Sequence, residues 1–90
     1  MITDKFVESM REVDFSGMQM PVIVVYDSPR DFPGICMCRV WEGAANRPTN
    51  VVMKKRSVKE MRSDIRAAGF TVRFPRVEGD DPVIVESWLK

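Results

Sequence analysis

Apolar residues occupy both alternating faces of the stretch Met20 to Tyr26. Val22, Val24 and Tyr26 fall on one face, Ile23 and Val25 on the other. Residues two apart in a strand share a face, so this pattern predicts a central strand covered on both sides. "DSPRDFPG" follows, with Asp, Ser, Pro and Gly placed where a turn uses them. A second strand is predicted from Ile35 to Glu42, a loop at "GAANRP", and a third strand over "TNVVMKKR".

The period then changes from two to that of a helix. Ser57 and Glu60 have the spacing of a capping box, and Val58, Met61, Ile65 and Ala68 form one apolar stripe. Gly69 stands where such a helix ends. Phe70, Val72 and Phe74 alternate as a short strand closed by Pro75, and "VEGDD" reads as a turn. "PVIVESWL" is the last strand, with Pro82 at its start, where a missing N–H is tolerated. Upstream, Phe6, Met10 and Val13 recur at helical spacing. Thr3 can cap that helix, Ile2 against Val7 would staple it and Gly17 would stop it. The expectation is a single α+β domain over residues 1–90, in the order α-β-β-β-α-β-β. Residues 1–17 form a helical appendage and 18–90 a core in which one helix packs on an antiparallel three-stranded meander with one or two further strands.

A chain of 90 residues is one domain, and it buries only about 60–65% of the surface that its unfolded form exposes. No apolar run approaches the roughly 20 residues of a membrane helix. The start, "MITDKFVES", has early acidic residues and no apolar signal-peptide core, so the expected location is cytoplasmic. A net charge of +1 argues against a strongly basic DNA binder. Its distribution is uneven: net −3 over residues 1–33, +7 over 34–76 and −3 over 77–90. Either the acidic ends fold back over the basic centre, or the centre is a face for an anionic partner.

The candidate chemistry is sparse. Cys36 and Cys38 stand one residue apart in a chain without histidine. On a strand their Cα atoms lie about 6.5–7 Å apart with parallel side chains, which suits no disulfide. Two cysteines fall short of the four ligands of a structural zinc site, so core packing is expected, with no metal and no cofactor unless a dimer shares a site. A serine or cysteine nucleophile lacks its usual base, and no glycine-rich phosphate loop occurs. Asp27, Asp31, Asp80 and Asp81 are acidic pairs in turns, where aspartate is an ordinary turn former. No catalytic residue is assigned, and an enzyme is not expected.

Two groups could meet a partner. Lys54, Lys55 and Arg56 end a strand and enter the helix, and Lys59, Arg62 and Arg66 follow on one helix face. This cluster is the candidate anion- or nucleic-acid-binding set. Trp41 and Trp88 lie near strand ends, where a core role is the first expectation and an exposed anchor the second. Arg39 shares a strand face with Trp41.

The pieces Y-D-S-P at 26–29, D-F-P-G at 31–34, Phe74–Pro75–Arg76 and D-D-P-V-I-V-E-x-W at 80–88 carry a resemblance. Over some 70 residues the chain is similar to small uncharacterised proteins of Gram-positive bacteria and their prophages. That resemblance implies a mobile-element setting, in which small proteins bind and block host proteins. More distantly, three strands followed by a helix is similar to HicB-type antitoxins and double-stranded-RNA-binding domains. D-F-P-G resembles a turn of the antitoxins, and Lys54–Lys55 the lysine pair of the RNA-binding domains. The function expected from sequence is therefore a non-enzymatic binding protein that docks on and inhibits or regulates a protein partner, such as a host defence nuclease. The alternative is a nucleic-acid-binding module using segment 54–66. Homodimerisation through sheet edges is a further expectation.

Overall fold

A computed structural model describes residues 3–30 and 32–90. Six strands form one sheet: β1 (Lys5–Val7), β2 (Pro21–Asp27), β3 (Cys36–Glu42), β4 (Arg47–Lys55), β5 (Val72–Pro75) and β6 (Ile84–Leu89). Their spatial order is β1-β4-β3-β2-β6-β5. One helix, α1 (Val58–Ala67), lies between β4 and β5 in the chain. The protein is thus a mixed α+β fold.

The central meander follows the expected pattern. β2 pairs antiparallel with β3, and β3 with β4. The tight β3–β4 connection is a four-residue loop, 43–46, closed by an Asn46 N–H donated to the Gly43 carbonyl at 3.2 Å. Gly43 itself is dictated by crowding. A Cβ there would meet the Met20 carbonyl at 2.9 Å, closer than side chains approach backbone.

The expected ends of α1 form with their caps. Ser57 Oγ accepts the Glu60 N–H at 3.2 Å, and Glu60 Oε2 accepts the Arg56 N–H one residue before the cap. At the other end the Phe70 N–H reaches the Ile65 carbonyl and the Gly69 N–H that of Arg66, with Gly69 at φ 97°. That is the paired arrangement that satisfies the last carbonyls of a helix, and it needs a residue without a Cβ penalty at the left-handed position. Met61 and Ile65 of the predicted stripe are fully buried, with Val58 and Ala68 packed beside them.

The N-terminal segment departs from expectation. Residues 5–7 form β1, parallel to β4, and Met10–Glu12 make a single 3-10 turn capped by Ser9. The spacing of Phe6, Met10 and Val13 matches a helix, but the three serve different surroundings. Phe6 lies 46% exposed over the outer sheet face, Met10 is fully buried, and Val13 packs at the core margin. The Met10 N–H donates to Asp64 Oδ1 of α1 at 2.8 Å, so a tertiary bond fixes the turn. Thr3 has no helix to cap. The proposed staple involves Ile2, which lies outside the described residues.

The core lies between the inner sheet face and α1. Ile23, Val25, Cys36, Cys38, Val40, Met53 and Trp88 point to it from the strands, and Met10, Phe15 and Phe70 close its ends. The Cα radius of gyration, 12.1 Å, equals the roughly 12 Å of a compact chain of this length. Among the described residues, no helix is long and apolar enough to cross a membrane.

Candidate protein-docking face

Alternation along β2 sends Ile23 and Val25 to the core and Val22, Val24 and Tyr26 to the other side. The sequence predicts cover on both faces of this strand. The chain has one α-helix among the described residues, and it covers one face. The outer face is left with partly exposed apolar side chains. In-register neighbours extend it: Trp41 beside Val22, then Leu89 and Ile84 from β6, whereas Met37 beside Tyr26 is buried. Beyond them Val72 and Phe74 of β5 stand 43% and 48% exposed. An antiparallel sheet whose second face meets water normally carries polar residues there. This one is mainly apolar from β3 to β5, with Arg39 and Ser87 flanking Val24 in its middle row.

A groove of about 220 Å³ runs over this face between Trp41, Val24, Tyr26, Ile84 and Ser87, with Asp80 at its rim. The Trp41 indole N–H is buried there without a hydrogen-bond partner. A buried donor left unpaired costs about 1–3 kcal/mol, and this one is closed to solvent beside the Tyr26 hydroxyl. The Tyr26 hydroxyl is near it but outside hydrogen-bonding geometry. Burial raises the phenol pKa, which the neighbouring Trp41 and the charge of Arg39 partly counter.

Arg39 sits on the same face as Trp41, as its register predicts, but its guanidinium is occupied. It donates to both carboxylate oxygens of Asp4 at 2.9 and 3.2 Å and to the Thr49 carbonyl at 2.8 Å. These bonds fasten the N-terminal segment across β4 and bound the apolar face on one side.

Trp88 offers a partner no surface. It is 1% exposed, because its β6 position pairs with Ile23 on the core side of the sheet. Its indole donates to Glu86 Oε2 at 2.7 Å, and Arg66 covers the ring at 5.2 Å. The anchor role expected as an alternative is therefore corrected to the core role.

The six basic residues do not make one surface. Lys54 and Lys55 are neighbours on a strand and so point to opposite faces. Lys54 lies over the rings of Phe6 and Phe32 at 4.7 and 5.4 Å. Lys55 reaches Asp64 at 3.8 Å and the Glu8 carbonyl at 2.9 Å. Arg62 is bound by Glu86 and Arg66 lies on Trp88, while Arg56 and Lys59 are exposed. The acidic ends thus fold back on the basic centre at Asp4–Arg39 and at Glu86–Arg62.

Glu86 is the residue that sequence reasoning passed over. Its side chain is fully buried. Arg62 Nη2 donates to Oε1 at 2.7 Å, Arg62 Nε to Oε2 at 3.0 Å, and Arg73 Nη1 to Oε1 at 3.3 Å. Burial acts to raise its pKa. The hydrogen bonds from Arg62, Trp88 and Arg73 outweigh it and hold the carboxyl below its ordinary value. The only hint in the sequence is a lone acidic residue within a mainly apolar strand, and that reads equally as a solvent-facing position.

Cys36 and Cys38 are free and buried on the core side. Burial, with Asp27 and Glu86 nearby, raises the Cys36 thiol to about 11, and burial raises Cys38 further. Among the described residues, no three His, Cys, Asp or Glu side chains gather as a metal site. The Asp80 and Asp81 carboxylates accept the Val77 and Val83 N–H groups as turn formers, and Asp27 is exposed at the end of β2. Asp31 lies outside the described residues. No protein-family profile, curated protein sequence or solved structure matches this chain.

Proposed function

We propose that the protein is a non-enzymatic binding module that docks on a protein partner through the outer face of its sheet and thereby inhibits or regulates that partner. The observation that carries this reading is the groove on the outer face, lined by the Trp41 ring together with apolar side chains of β2 and β6. Contiguous exposed apolar surface of this kind marks sites of protein association. An aromatic anchor with a polar handle suits the centre of such a contact. A host protein of the defence type is the partner that the prophage resemblance would imply, acting in the cytoplasm.

Nucleic-acid binding through segment 54–66 draws less support, because its cations divide between two faces and four of the six have intramolecular partners. The test is capture of partners from a host lysate with the parent protein, with Val24→Glu on the outer face, and with Lys59→Glu on the exposed side of α1. Val24→Glu is expected to abolish the captured protein and Lys59→Glu to retain it. Retention by Val24→Glu would remove the outer-face reading. Loss with Lys59→Glu, together with a raised 260/280 nm absorbance ratio, would promote the nucleic-acid reading.

A further inference from the structure

β5 is the last strand of the sheet, and all four of its residues are exposed. Its ladder with β6 shows which backbone groups are free. Arg76 N–H bonds the Val85 carbonyl, and bonded and non-bonded pairs alternate along an antiparallel ladder. Phe74–Ser87 and Val72–Leu89 are then the bonded pairs, whereas Arg73 and Pro75 turn their backbone groups outward. Pro75 has no N–H to offer, so Arg73 presents the outward donor of this strand, with its own carbonyl beside it.

The two sides of that edge differ in chemistry. Val72 and Phe74 point to the outer face and continue its apolar surface. On the α1 side Arg73 stands with Arg62 and Arg66 around Glu86 and Trp88, three guanidiniums against one carboxylate.

We infer that the free edge of β5 accepts an extended segment of a partner protein whose side chains alternate apolar and acidic. This deepens the docking reading above and rests on it. Main-chain bonds to Arg73 fix the register. Directly opposed residues of paired strands share a face. The residue facing Arg73 therefore lies on the basic side, and its neighbours lie beside Val72 and Phe74. A second copy is a poor occupant, because two β5 strands paired about this position set Arg73 against Arg73, and like charges directly opposed destabilise a pair.

The probe is the peptide acetyl-Thr-Glu-Val-Glu-Val-Glu-Thr-amide, with lysine in place of each glutamate as its control, titrated into the isotopically labelled full chain. The glutamate peptide is expected to shift the Arg73 amide and protect it from hydrogen exchange, and to bind about tenfold more tightly than the lysine peptide at low salt. Arg73→Met is expected to reduce that preference, and Phe74→Ser to weaken both peptides while leaving α1 shifts in place. Absence of any shift up to about 5 mM peptide, or equal affinity of the two peptides, overturns the inference. Shifts confined to Val24 and Trp41 overturn it too, while leaving the outer-face reading intact. Shifts at Arg73 alongside unchanged lysate capture by Val24→Glu would retain the edge and remove the face.

Discussion

Glu86 is a carboxylate taken fully out of water and held by donors from α1, β5 and its own strand. Because its pKa in the folded protein is lowered from an ordinary 4.5, the stability it contributes is fully present above that value and is lost as the pH falls through the folded pKa. Urea unfolding at neutral pH and at pH values below 4.5 checks this: Glu86→Gln should flatten the acid limb of the stability profile. Arg62→Ala removes the main partner of a buried charge and should cost about 3 kcal/mol at neutral pH. Trp41 gives the opposite expectation. Its indole N–H has no partner in the free protein, so Trp41→Phe should change stability by less than about 1 kcal/mol while weakening partner capture. A loss above about 2 kcal/mol would mean that the indole is packed into the fold and is not free to anchor a partner. Both roles depend on the side of the sheet to which a strand residue points. In the sequence Trp41 and Trp88 look alike; register places one over the groove and the other under α1.

At the scale of elements, α1 was legible in full. The S-x-x-E spacing, the apolar stripe and the glycine are local signals, and local hydrogen bonds satisfy them. Gly69→Ala forces a Cβ into φ 97° and should cost about 1 kcal/mol in thermal or urea unfolding, and Ser57→Ala a similar amount. A negligible loss in either would mean that tertiary packing, rather than the cap, ends the helix. β1 was not legible. Three residues pair with β4 some 45 positions later, and a spacing of four and three between apolar residues imitates a helix. Asp64 of α1 binds the Met10 N–H, a bond no local pattern announces.

For the whole molecule, the layering has one side: α1 and the N-terminal turn over the inner face and, among the described residues, no helix over the outer one. The inner core encloses Cys36 and Cys38 at 1% and 0% exposure on β3, between β2 and β4. Their thiols should therefore react with a disulfide reagent only through global opening. Labelling rates should track unfolding free energy as urea is added, and rapid labelling in water would show that β3 opens locally. The charge segregation read from the sequence also resolves at this scale. It became ion pairs closing both termini onto the centre, together with a net-positive edge at Arg62, Arg66 and Arg73.

The sequence by itself determined the α+β class, the meander of β2, β3 and β4, the helix with both its caps, and the burial of the cysteines. All of these rest on short-range periodicity and turn chemistry, which act between residues close in the chain. Only the tertiary structure decided that the N-terminus adds a strand, that the outer side of β2 is only partly covered, that Trp88 is core, and that adjacent lysines part to opposite faces. Each of these depends on pairing between distant segments, and hence on register, where a shift of one residue exchanges the two faces of a strand.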